Sequence, residues 1–174
     1  IDDELAALNA TQYLIDKGFK KIALLTTVDY VSVGKLRTEG YIKTLKNNDI
    51  TVDEKLIIKI EDTENFEHKI ADLLTQNSID AVFAVNELFA VTVIKEANRI
   101  GLKVPDDISI IGFTDGIISK YSSPSITTVS QNGIKMGAKA AQMLIERLET
   151  EEEEDEKYRT EVIETELVER ESTK

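Results

Sequence analysis

No cysteine occurs in the 174 residues, so the chain has no disulfide framework, no thiolate nucleophile and no cysteine-built metal site. That absence fits a reducing cytoplasm, although many secreted bacterial proteins lack cysteine too. The single histidine, His68, falls among Glu64, Glu67 and Lys69, which read as the solvated face of a helix. Nothing places a serine beside it for nucleophilic catalysis. There is no G-x-S-x-G elbow, no phosphate loop and no G-x-G-x-x-G turn after the first strand. No apolar run approaches the roughly 18 residues of a membrane span. Basic charge is scarce: 21 Lys and Arg against 33 Asp and Glu leave a formal net charge of −12. Seven of the negative charges fall in residues 149–156, leaving −5 elsewhere. Phosphate backbones are bound by clustered Lys and Arg, so this chain alone is not expected to bind nucleic acid. The acid run lacks the glycine-punctuated ligand spacing of a calcium loop and reads as a solvated turn or fraying helix end. Asp106-Asp107 is a paired carboxylate, but in a turn, where Asp bonds its own backbone without catalysis. An enzyme is not expected, nor is a cofactor.

What is present reads as an ordinary globular chain of one domain or a little more, with 41% hydrophobic and 31% charged residues. It begins Ile1-Asp2-Asp3-Glu4, acidic where a secretory signal is basic and without an initiator methionine. We read it as a cytoplasmic fragment. A helix is expected over 3–17, with Asp2 or Asp3 as cap, Ala7, Ala10 and Leu14 at helical spacing, and Gly18 as the stop. Strands follow at 21–26, 56–60, 80–85 and 108–111, separated by helices from about Ser32 to Asn48, over 65–76 and over 87–100. After Pro124 come an extended piece at 126–129 and a helix over 132–148, whose Ile134, Gly137, Ala141, Leu144, Ile145 and Leu148 share one stripe. Residues 162–168 alternate loosely as a last strand. Strands joined by helices of 12 to 16 residues imply right-handed βαβ units. The fold class is α/β: an open parallel sheet with helices on both faces.

In such sheets ligands sit outside the carboxyl ends of the strands. Those ends here are Thr26–Asp29, Glu61–Thr63, Val85–Glu87 and Gly112–Gly116. They offer Asn86, the carboxylates of Asp29, Asp62, Glu87 and Asp115, the hydroxyls of Thr26, Thr27 and Thr114, and Arg37 one helical turn further on. Carboxylates, an amide and a guanidinium suit a polyhydroxylated ligand. Each also has a plainer use: Asn86 as a helix cap, Asp115 as a turn former, Arg37 as a solvated charge.

Several segments resemble the lactose-repressor family of bacterial transcription regulators. Val104-Pro105-Asp106-Asp107-Ile108-Ser109-Ile110-Ile111-Gly112-Phe113 is the fullest of them. Ser32 to Tyr41 resembles the family's S-x-x-x-x-R-x-x-G-aromatic stretch, and Ala84 to Ala90 its strand-N-D-x-x-A turn. Pro124 to Val129 followed by Met136-Gly137 resembles its P-x-L-T-T-V…M-G crossing, and Arg170-Glu171-Ser172-Thr173 its R-x-S-T ending. No one motif is specific, but their order and spacing span essentially the whole chain. There are two departures. Gly112-Phe113-Thr114-Asp115 stands where the family reads G-[FY]-D-D, and Asn86-Glu87 where it reads N-D.

The resemblance implies one lobe of a periplasmic-binding-protein-like effector domain. Residues 1–18 would be a helix of a missing N-terminal lobe and 19–129 the C-terminal lobe. Residues 130–150 would be a crossover helix of the N-terminal lobe, and 151–174 an acidic turn and a strand returning to the C-terminal lobe. Arg37, Asn86, Asp115 and Thr114 are then the expected effector-binding residues, the effector being a sugar or a derivative of one. Leu88, Val91, Ile118 and Tyr121 are the expected interface of a homodimer. DNA would be read only through a helix-turn-helix domain absent from this chain, and no membrane contact is expected. The rival reading is an extracytoplasmic sugar-binding protein of a transport system, which shares the fold.

Overall fold

The computed structural model describes residues 1–62, 66–149 and 158–174. Strands β1 (Ile22–Thr27), β2 (Ile57–Ile60), β3 (Ala81–Ala84), β4 (Ser109–Thr114), β5 (Thr127–Ser130) and β6 (Glu166–Val168) form one sheet. Its order is β2-β1-β3-β4-β5-β6. The first five strands are parallel, and β6 runs antiparallel to β5. The connecting helices are α1 (Asp3–Asp16), α2 (Ser32–Asn47), α3 (Glu67–Gln76), α4 (Glu87–Arg99), α5 (Ile117–Tyr121) and α6 (Gly133–Glu149). The chain steps one way from β1 to β2, then passes back over β1 to β3 and onward to β5. With right-handed crossovers, that reversal puts helices on both faces and a switch point between β1 and β3.

The strands are apolar because both faces are covered: every residue of β3 is buried, as are the first five of β1 and of β4. The rings of Phe83 and Phe113 lie 6.4 Å apart in this core, and those of Phe66 and Phe89 5.3 Å apart. Asp2 caps α1, its side chain accepting from the Leu5 N–H at 2.9 Å. Gly18, with φ of +93°, ends it in a conformation that costs other residues a steric clash. Residues 1–18 were expected to lie with another lobe. Instead α1 packs along α2, and Ala6, Ala7, Ala10 and Leu14 are buried in the same core as the strands.

Ser172, fully buried, closes a gap between β4 and β5. The two strands pair from Ile111 opposite Thr127 onward, and one residue earlier the place beside Ile110 is taken by Ser172. The Ile110 N–H donates to the Ser172 carbonyl at 2.8 Å, and the Ser172 hydroxyl donates to the Ile110 carbonyl at 2.6 Å. That hydroxyl accepts from the Thr127 N–H at 2.8 Å, while the Ser172 N–H donates to the Ser125 carbonyl at 2.9 Å. One residue thus satisfies backbone groups of two strands that burial would otherwise leave unpaired.

α6 is different in kind. It has no buried residue, and its apolar stripe is bare, with Ile134 91% and Leu148 77% exposed. The expected last strand shortens to three residues, because 158–165 run exposed and largely without sheet partners. α5 occupies what reads in the sequence as a loop, and a single 3₁₀ turn, Glu54–Leu56, precedes β2. Residues 150–156 of the acid run, and Thr63 to Asn65, lie outside the described residues.

Candidate functional site

The switch point between β1 and β3 opens at the carboxyl ends of those strands, where α2 and α4 begin. Arg37 projects there from α2 and is only 5% exposed. Its Nη1 donates to the carbonyl of Val85, just past β3, at 2.5 Å. Its guanidinium carbon lies 3.5 Å from the centroid of the Phe113 ring on β4, a stacked cation–π contact. Nε and Nη2 both meet Oδ1 of Asp3, at 2.8 and 2.7 Å. Burial lowers the pKa of this guanidinium, and the bond and charge of Asp3 oppose the shift. Arg37 is therefore no solvated charge. It joins α1, α2, β3 and β4 at the edge where a ligand would sit.

Asn86 follows Val85 at the same edge. Its Oδ1 accepts from the Phe89 N–H at 2.8 Å, so it caps α4 and is half-buried. The cap uses the oxygen and leaves the amide nitrogen for another partner. Glu87 turns to the end of β4, where its Oε1 accepts the Gly116 N–H. Thr114 and Asp115 both hold positive φ, 111° and 63°. Thr114 is exposed at this corner. The Asp115 carboxylate is turned to Arg170, with Oδ1 2.5 Å from Nη2, and Lys120 stands 3.9 Å from Oδ2. Asp29 is exposed and pairs with Lys59 at 2.6 Å. The hydroxyl of Thr27 is buried with no hydrogen-bond partner among the described residues, pressed against Gly34 in the first turn of α2.

The structure thus brings Arg37 and Asn86 to one edge and sets Thr114 at the adjoining corner, while Asp115 is engaged by Arg170. Asp3, read from sequence only as a possible cap, and Arg170, read only as part of the R-x-S-T ending, were not expected at the site. Each acts through a partner 34 or 55 residues away, which no local pattern reveals. Tyr30, just before α2, and Val33, in its first turn, are exposed beside this edge and were not expected as site residues. Of the four expected interface residues, Leu88 (44%), Ile118 (41%) and Tyr121 (83%) are exposed on α4 and α5, which touch, and Val91 is half-buried. Among the described residues no three His, Asp or Glu side chains gather so as to hold a metal ion. No helix among them is long and apolar enough to cross a membrane.

A family model for the periplasmic binding protein-like domain matches residues 11–173. The chain is 37% identical over 174 residues to the HTH-type transcriptional regulator MalR of Clostridium butyricum, covering 99% of this chain and 51% of MalR. It is 34% identical over 139 residues to the HTH-type transcriptional regulator DegA of Bacillus subtilis, covering 79% of this chain and 41% of DegA. The chain spans about half the length of the curated relatives it matches. Among solved structures it superposes on the transcription regulator CcpA of Lactococcus lactis with a TM-score of 0.88 at 29% identity. That match covers 100% of this chain and 63% of CcpA. A complex of the transcriptional regulator CelR with cellobiose gives a TM-score of 0.85 at 29% identity, over 99% of this chain and 52% of CelR.

Proposed function

The chain belongs to the periplasmic binding protein-like domain family and resembles its lactose-repressor-type regulators, and from that premise we propose that it is the effector-binding part of a cytoplasmic transcription regulator. The relatives are named as regulators and not as transport proteins or enzymes, which favours this reading over its rival. The observation that carries it is Arg37: a guanidinium nearly removed from water, stacked on Phe113 and aimed at the switch-point edge beside Asn86. The N–H groups that Nη1 and Nη2 keep beyond Val85 and Asp3, with the Asn86 amide, suit vicinal hydroxyls, so the effector is a sugar or a sugar derivative. CelR, a structural relative, is seen with cellobiose.

The bare stripe of α6 supports a two-lobed whole. α6 belongs with a second lobe, whose surface covers Ile134, Leu144 and Leu148. The effector sits between the lobes and changes their angle, and a homodimer formed through α4 and α5 carries the change to DNA-reading helices elsewhere in the protein. Calorimetric titration of the whole regulator with cellobiose and a set of pentoses and hexoses tests the site. Arg37→Lys keeps the charge and loses the fork, and is expected to weaken any binding at least roughly tenfold. Equal binding by the variant, or no binding of any sugar by wild type, overturns the reading.

A further inference from the structure

Among ion pairs joining described residues, Arg37–Asp3 and Arg170–Asp115 alone have both side chains less than a fifth exposed, at 6% and 13% and at 16% and 16%. Every other pair has at least one partner well in solvent. Each of the two contains a candidate effector residue. A buried ion pair is a poor source of stability, because well-packed apolar groups do as well. What such a pair supplies is a fixed geometry.

The second pair is built for that. The backbone N–H of Arg170 donates to the Thr127 hydroxyl at 2.8 Å, which donates back to the Arg170 carbonyl at 3.1 Å. Its guanidinium is shared between the Ile126 carbonyl at 2.8 Å and Asp115. Asp115 and Thr114 are consecutive non-glycine residues with positive φ, and Thr114 is β-branched, so the corner is held in a conformation it would not choose. On its far side the Gly116 N–H is held by Glu87, next to the α4 cap. Arg170 lies two residues past β6, on the segment that returns from α6. The outgoing and returning segments are clipped together, since Nδ2 of Asn132 donates to the Glu164 carbonyl at 2.8 Å.

We propose that Arg170 is a positioning residue of the effector site, holding the Thr114–Asp115 corner in its left-handed form and tying it to the segment returning from α6. Displacing α6 against the sheet then reshapes the edge of the cleft, and effector contacts at that edge pull on the return segment. This rests on the reading of the carboxyl edge as the effector site, but its test does not.

Hydrogen exchange by mass spectrometry is compared in the full-length protein for wild type, Arg170→Gln, Arg170→Lys and Asp115→Asn. The two variants that remove a charge should speed exchange roughly tenfold in residues 112–118 and 164–171, while β1 and β3 keep the wild-type rate. Arg170→Lys, which keeps the charge but loses the planar fork shared by the two acceptors, should fall between. An unchanged corner, or a rise spread evenly over β1 and β3, overturns the proposal. Should Arg170→Gln fail to fold, Asp115→Asn decides alone, and an unchanged rate at 164–171 in that variant is refutation. Titration of the wild type with cellobiose reports separately on the effector reading, so failure of either idea is recognisable by itself.

Discussion

Gly40 of α2 lies directly against Ala7 of α1: a Cβ on Gly40 would stand 2.9 Å from that of Ala7 and closer still to the Glu4 carbonyl oxygen. The two helices approach as they do because one of them has no side chain at the crossing. Gly40→Ala is expected to cost about 1–3 kcal/mol through forced separation. That loss outweighs the roughly 1 kcal/mol alanine would gain in an open helix. Urea denaturation measures it, and a variant as stable as wild type would show that α1 yields freely.

Tyr41 should make the chain sensitive to alkali. Its buried hydroxyl donates to the Ile22 carbonyl at 2.7 Å, and burial, with Asp53 and Glu54 nearby, raises its pKa above the ordinary value. The folded state therefore holds this proton more tightly than the unfolded chain does. The contribution is whole below the unfolded pKa of about 10 and is lost as pH rises from there toward the folded value. Tyr41→Phe should be about 1 kcal/mol less stable at neutral pH. Between pH 9.5 and 11.5, roughly the onset of that window, it should lose stability less steeply than wild type. Parallel slopes in chemical denaturation would refute this.

Two leucines on two helices should answer oppositely to truncation. Leu14 of α1 is fully buried, and Leu14→Ala is expected to cost about 2–5 kcal/mol. Leu148→Ala in the 174-residue chain should stay within about 0.5 kcal/mol, because nothing described here covers that side chain. If a second lobe packs on α6 as proposed, Leu148→Ala becomes costly in the longer regulator. Thermal denaturation of both forms makes the comparison.

Association is read by sedimentation. Leu88 and Tyr121 are exposed on α4 and α5, so glutamate at both positions should leave the fold intact while breaking a two-fold apolar contact. Wild type that remains strictly monomeric at high micromolar concentration, or a double variant that dimerises equally well, rules out this patch.

Periodicity located most helices within a residue or two, because α4 and α6 are long enough for an apolar stripe to repeat. It could not show α5, whose five residues span little more than one turn. β4 runs three residues further than its apolar run suggested, because Gly112 and Thr114 read as loop yet continue the pairing with β5. The stripe of α1 announced that one face is buried, but not against what. α2 answers that, with Gly40 admitting it. Asn86 was legible as cap or ligand, and its oxygen is spent as a cap. Arg37 stood out only through family resemblance. Its burial depends on Asp3, which sequence marks equally well as a cap, a task that Asp2 performs. The Asp115–Arg170 pair spans 55 positions and was beyond any windowed reading.

Ser172 also sets an order of events during synthesis. The rung beside Ile110 and Thr127 is supplied from near the far end of the sequence, 62 residues after Ile110. β1, β2 and β3 can pair while the ribosome is still making the rest, and β4 can pair with β5 from Ile111 onward, but the rung at Ile110 stays open until Ser172 has left the exit tunnel. A nascent chain stalled before that point should present an unsealed strand edge to chaperones, and a cut a few residues upstream of Ser172 should leave one permanently.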